Sequence, residues 1–133
     1  MQAFATKPLG ADFDATAPDG TAVRSLLSLA GGSMAHFELP AGAVSHAVAH
    51  RTVEEIWYIL SGEGEIWRAL GDRAEIVPMR PGLSLTIPLG TAFQFRAAPR
   101  EPLRFLAITM PPWPGMDEAY AVEGPWAPTI PAG

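Results

Sequence analysis

Apolar residues in this chain fall into short runs, and glycine, proline or a small polar cluster closes each one. The runs are Ala22–Leu29, Ser33–Leu39, Ala43–His50, Glu55–Ser61, Glu65–Leu70, Arg73–Met79, Ser84–Pro88, Ala92–Ala97 and Leu103–Met110. Each has the length of a β-strand and is too short for a packed helix, and none shows the helical 3.6-residue stripe. The breaks carry turn chemistry: Gly31-Gly32, Pro40-Ala41-Gly42, Gly62-Glu63-Gly64, Gly71-Asp72, Pro81-Gly82 and Leu89-Gly90. Ser45–Ile56 competes as a helix, with Ser45 as its cap and His46 and His50 on one face. Its β-branched residues Val44, Val48, Thr52 and Val53, and the preceding Pro-Ala-Gly, favour a strand. Short strands at regular spacing predict an all-β antiparallel sandwich or barrel.

The end of the chain has a different texture. Six prolines, with Trp113 and Trp126, lie between Pro111 and Pro131. Such a segment cannot pair as a central strand, so it is expected to wrap the outside and pin itself with its tryptophans. A lid over an opening is the alternative. The organisation expected is one domain over residues 1–133: an N-terminal arm (1–21), a barrel (22–110) and a proline-rich wrap (111–133), with no internal repeat.

Composition narrows the function. A chain of 133 residues with 48% hydrophobic positions is long enough for one core. Fourteen acidic and nine basic side chains give a net charge of −5 without a basic run, which argues against a nucleic-acid partner. The absence of cysteine removes disulfides, zinc ribbons and thiolate nucleophiles. No apolar stretch has the length of a membrane span, and the N-terminus does not have the form of a signal peptide. A cytoplasmic location without a membrane partner is the expectation.

His36, His46 and His50 lie close together in sequence, and Glu54-Glu55 follow. Two imidazoles near a carboxylate are the raw material of a divalent-metal site. Along a strand, however, His46 and His50 would be about 13 Å apart at roughly 3.3 Å per residue, too far to share one ion without a bulge. His36 alternates with Met34 and Glu38, opposite Ala35, Phe37 and Leu39, which predicts a partly solvated face for it. Glu54 should point away from Glu55.

The stretch from Gly42 through Val48-Ala49-His50 and Glu55 to Gly62 resembles the first signature of the cupin superfamily, and Gly82–Phe93 resembles the second, with Gly82, Pro88 and Gly90 in place. The resemblance implies an all-β, cupin-type antiparallel β-barrel, a jelly-roll-like double sheet. Cupin metal centres typically draw two histidines and a glutamate from the first signature and a histidine from the second. Here those places hold Val48, His50, Glu55 and Phe93, so only two ligands survive. Two are too few for a tight site of the zinc type, unless His46, moved by a bulge, or His36 supplies a third. The metal set would then be His50, Glu55 and His46, around iron, nickel, manganese or zinc.

If Glu55 faces the interior, so do Trp57 and Ile59, while Ile56, Tyr58 and Leu60 face out. A two-residue turn at Gly62-Glu63 would pair Ile59 with Ile66 and Trp57 with Arg68, bringing Arg68 inside, whereas one residue of slip would put Trp67 inside instead. By the second signature Phe93 and Phe95 face in, and Gln94 and Arg96 face out. The expected ligand-binding residues are therefore Trp57, Arg68, Phe93 and Phe95, around a small organic molecule whose acidic group would meet Arg68. The apolar outer face predicts a homodimer. The expected function is a small-molecule-binding barrel with a weak or absent metal site. The alternatives are a metal-dependent dioxygenase or isomerase, and a metal-free enzyme in which Glu55 orients His50 as general base.

Overall fold

Glycine and proline divide the chain much as the pattern predicts. The computed structural model describes residues 3–133. Its strands are β1 (Ala15–Thr16), β2 (Ala22–Leu29), β3 (Gly32–Leu39), β4 (Val48–His50), β5 (Glu54–Ser61), β6 (Gly64–Leu70), β7 (Arg73–Met79), β8 (Ser84–Ile87), β9 (Ala92–Ala97), β10 (Leu103–Met110) and β11 (Ala119–Ala121). A single 3₁₀ turn, Met116–Glu118, precedes β11. No helix among the described residues is long and apolar enough to cross a membrane.

The strands form two antiparallel sheets, β1-β2-β3-β10-β5-β8 and β11-β4-β9-β6-β7. They face one another as a jelly roll and do not close into one continuous barrel. Alternation in β5 decides what each layer sees: Glu55, Trp57 and Ile59 are buried, while Glu54, Ile56, Tyr58 and Leu60 are exposed. Between the sheets, Trp57 stacks on Phe105 at 4.1 Å and meets Phe95 edge-on at 5.2 Å. Aromatic pairs of this kind contribute about 0.5–1.5 kcal/mol each beyond the area they bury.

The Gly62-Glu63 turn is not a hairpin. It carries the chain from the first sheet, where β5 pairs with β10 and β8, to the second, where β6 pairs with β9 and β7. Close backbone crossing is the physical reason: a Cβ on Gly62, whose φ is +77°, would lie 2.2 Å from the Pro102 carbonyl oxygen. The expected pairings of Ile59 with Ile66 and of Trp57 with Arg68 are therefore replaced by Ile66 opposite Phe95 and Arg68 opposite Phe93.

Two further expectations are corrected. Ala43–His50 is regular only from Val48; before that, Val44 makes an isolated bridge to Arg96, and the Ser45 N–H donates to the Phe95 carbonyl while the Ser45 hydroxyl accepts the Phe95 N–H. His36 is on the outward face as its alternation requires, but it is only 4% exposed, between Arg24 on β2 and Leu106 on β10.

The proline-rich segment wraps the second sheet. β11 pairs with β4 at that sheet's edge, and the last residues run back along Val44 and Ala17. Gln94 fastens this wrap by donating to the carbonyls of Ser45 and Trp126, each at 2.8 Å, and accepting the Trp126 N–H at 3.1 Å. Gln94 thus points away from the inter-sheet core, as its alternation demands, yet is fully buried beneath the wrap. Trp126 in turn lies under the Arg96 guanidinium, 4.2 Å from the ring centroid.

Candidate functional site

One end of the inter-sheet space stays open as a cavity of about 340 Å³, between β2, β3 and β5 of the first sheet and β4 and β9 of the second. Its walls are largely apolar, with Phe37, Val48, Trp57, Phe93 and Trp113 among the lining residues. Two buried titratable side chains stand in this wall, His50 at 6% exposure and Glu55 at 5%.

The strands place these two groups. Val48 and His50 straddle Ala49 on β4, so both turn to the cavity, and Glu55 is the second residue of β5. The loop between the strands is held from outside by Glu118. Its carboxylate accepts the backbone N–H of Thr52 at 2.6 Å and of Val53 at 3.0 Å, and the Thr52 hydroxyl at 2.5 Å. Glu118 accordingly acts on the separation of His50 and Glu55 without touching the cavity contents.

Glu55 Oε1 accepts the indole N–H of Trp57 at 2.6 Å. Its other oxygen lies 3.4 Å from His50 Nδ1 but out of line for a hydrogen bond, and Nδ1 has no partner. Burial dominates both titrations. It raises the Glu55 carboxyl to about 7, against the lowering effect of the Trp57 hydrogen bond, with Asp19 and Glu118 adding to the rise. It lowers His50 to about 4, against the opposing pull of Glu118. Below neutral pH the pair is therefore a carboxylic acid beside a neutral imidazole, and at neutral pH the carboxyl is near its midpoint. His50 also meets the rings of Phe93 and Trp113 edge-on, each at 5.3 Å.

The other expected site residues lie elsewhere. His46 Nε2 donates to the Ile130 carbonyl at 2.5 Å, tied to the C-terminal wrap and away from the cavity. Arg68 faces the same side of its sheet as Ile66 but bridges the far seam. It donates to the Thr86 carbonyl at 2.8 Å and to Glu75 at 3.1 Å, because β6 pairs with β7 and β9 and not with β5. Phe95 is wholly buried against Trp57 and Phe105 behind the cavity. Trp57 and Phe93 do line it. Sequence reasoning missed Phe37, Asp19 and Trp113 as wall residues; the tryptophan was visible in the proline-rich run, but its position depends on how that run folds back.

A cupin-domain family model matches residues 35–109, and the chain belongs to the cupin family. A cupin protein from Bacteroides fragilis is 30% identical, with a TM-score of 0.63 over 83% of this chain and 86% of its own. A predicted oxalate decarboxylase from Thermotoga maritima is 25% identical, with a TM-score of 0.58 over 68% of this chain and 79% of its own. The capsular polysaccharide assembling protein CapF from Staphylococcus aureus is 14% identical, with a TM-score of 0.73 over 90% of this chain. This chain spans only 35% of the CapF length, and that likeness shows the fold alone. No curated protein matches the sequence.

The metal centre that the family implies does not fit the side chains present. The four corresponding places hold Val48, His50, Glu55 and Phe93, two of them hydrocarbon. One Glu55 oxygen is already engaged by Trp57, and His46 is committed to Ile130. Among the described residues no three histidine, aspartate or glutamate side chains converge as ligands, against the three or four protein ligands of a tight site.

Proposed function

We propose that this chain is a cytoplasmic, small-molecule-binding cupin that holds an organic ligand between its sheets, with Glu55 and His50 as polar anchors in place of a metal. One observation carries this reading: Glu55, whose second carboxyl oxygen has no hydrogen-bond partner, and His50 stand in a 340 Å³ cavity whose remaining wall is mostly hydrocarbon and aromatic. A buried polar atom left unpaired is costly, and a ligand that bonds it recovers that cost. The size and the mix of many apolar and few polar groups match small-molecule sites in general. A metal-dependent dioxygenase or isomerase would need a third donor, which His46 does not provide. A metal-free enzyme with His50 as base would need Glu55 aligned on it, and the two are out of line.

The test is a screen of single-ring aromatic fragments by NMR, read at the indole N–H resonance of Trp57, which the bond to Glu55 sets apart. Fragments that move this resonance in the native chain but not in Ala35→Leu, which fills the cavity from β3, support the reading. Fragments that bind both proteins equally, or none that bind either, refute it.

We further propose a homodimer joined through the outer face of the first sheet. Ile56, Tyr58 and Leu60 are between 40% and 48% exposed there, an apolar surface that association would cover.

A further inference from the structure

The sequence pattern pointed to a ligand with an acidic group, because Arg68 was expected inside. The cavity wall has the opposite character. No arginine or lysine lines it, whereas the carboxyl groups of Glu55 and Asp19 both do. Nearby cations are committed elsewhere: Arg24 to Glu38 and the Ala11 carbonyl, and Arg68 to Thr86 and Glu75. The wall hydroxyls of Ser33 and Thr109 bond to each other, and Ser33 also accepts the Trp113 N–H. Asp19 accepts the N–H and hydroxyl of Thr21. Glu55 Oε2 and Asp19 Oδ2 are left without a hydrogen-bond partner, and the buried Nδ1 of His50, also unpaired, lies 3.4 Å behind Glu55 Oε2. With its other nitrogen carrying the proton, a neutral imidazole offers Nδ1 as an acceptor.

We propose that the cavity selects a compact apolar amine, whose N–H donors meet Glu55 Oε2, and turns carboxylates away. The proposal rests on the small-molecule reading above and names the ligand class for that site. An ammonium group supplies both the N–H donors and the positive charge that this carboxyl lacks in the wall. Trp57, Phe93 and Trp113 line the same cavity and give the apolar body of the ligand an aromatic wall. On entry of an ammonium, Glu55 gives up its proton to solvent and becomes the paired carboxylate. The titratable groups around Glu55 at that moment are His50, Asp19 and Glu118, none of them cationic at neutral pH. A carboxylate ligand would meet two carboxyl groups in a low-dielectric wall with no cation to compensate. At about 340 Å³, the cavity is at the small end of ligand sites, which suits a single-ring body.

The experiment uses three probes with one shared body, 2-phenylethylamine, 2-phenylethanol and phenylacetate, titrated at neutral pH by calorimetry and by the Trp57 indole resonance. The amine should bind at least about tenfold more tightly than the alcohol, and phenylacetate about tenfold more weakly than the alcohol. In Glu55→Gln, which keeps the side-chain shape, the amine should fall to the affinity of the alcohol while the alcohol stays within about threefold. Ser28→Lys, at the exposed rim, is a second probe that leaves the buried pair intact and should shift preference towards phenylacetate. An amine no tighter than the alcohol, an amine preference that survives Glu55→Gln, or phenylacetate binding best in the native chain would overturn the ligand class and leave the cavity reading standing. If none of the three moves the Trp57 resonance, both fall.

Discussion

Val48 and Phe93 are direct cross-strand partners, on β4 and β9. They hold the two places where a cupin would put metal-binding histidines, so the substitutions are neighbours that together line the cavity with hydrocarbon. His50 and Glu55 keep positions facing the same space.

Restoring the two histidines should therefore restore a metal centre. Val48→His with Phe93→His would give four donors with His50 and Glu55, enough for a closed site. Elemental analysis after metal loading and desalting should find close to one equivalent of nickel, manganese, iron or zinc in the double variant, and a small fraction of that in the native chain. A folded double variant that retains no metal would show that the cage geometry has been lost along with the ligands.

Folding moves a proton from His50 to Glu55, with a consequence for pH. In the unfolded chain Glu55 titrates near 4.5 and His50 near 6.5, so between those values the proton is on the imidazole. In the folded chain Glu55 titrates at about 7 and His50 at about 4, so the acid holds the proton instead. Each state binds one proton across the window from 4.5 to 6.5, and the pair contributes no slope to stability there. Above the window the folded state holds the extra proton and stability falls as pH rises towards 7; below it the unfolded state does, and stability falls as pH drops towards 4. Glu55→Gln leaves His50 alone, neutral when folded and charged when unfolded. Relative to the native chain, the variant should lose about 3 kcal/mol between neutral pH and pH 4. Urea denaturation at a series of pH values checks this, and parallel curves for the two proteins would contradict it.

Glu118 should be a positioning residue. Glu118→Ala removes three hydrogen bonds to the loop that carries His50 towards Glu55, and should cost about 2–3 kcal/mol by chemical denaturation. It should also broaden the Trp57 indole resonance, since Glu55 and its hydrogen bond follow that loop. A loss of stability with an unchanged indole signal would mean that the loop keeps its shape without Glu118.

Gln94→Leu preserves bulk but cuts the fastening of the C-terminal wrap. Hydrogen exchange at Trp126 and around Val44 should rise, and limited proteolysis should cut first after residue 110, while the sheets remain protected. The cost should be about 2 kcal/mol, because the Ser45 and Trp126 carbonyls are left partnerless.

Ile56→Lys places a charge on the outer apolar face without entering the core. Sedimentation velocity should show a dimer in the native chain and a monomer of unchanged stability in the variant. A native monomer would remove the dimer proposal.

Strand positions were legible to the residue in places: Ala22–Leu29, Arg73–Met79, Ala92–Ala97 and Leu103–Met110 end where glycine, proline or a turn residue ends them. So was the facing of Glu55, Trp57 and Phe93, because a strand leaves only two choices for each side chain. Which strands share a sheet was not. Gly62 looks alike in a hairpin and in a crossing between sheets, and the difference lies in Pro102, forty residues away. Arg68 was misplaced for that reason alone. The burial of Gln94 depends on Trp126 in the same way. Local pattern specifies elements and faces, whereas these positions are set by contacts between distant parts of the chain.

Trp113, Met116 and Ala119 close one side of the cavity, and Ala15, Asp19, Val23 and Leu26 close another. All of them lie outside residues 35–109, the part that the family model recognises. The shared core thus supplies the polar anchors, and the flanking segments supply much of the mould around them. Among relatives with the same core, divergence of ligand choice should track the flanking segments, and exchanging them, with the edge strands β1, β2 and β11 that they carry, would transplant specificity while keeping the shared core strands.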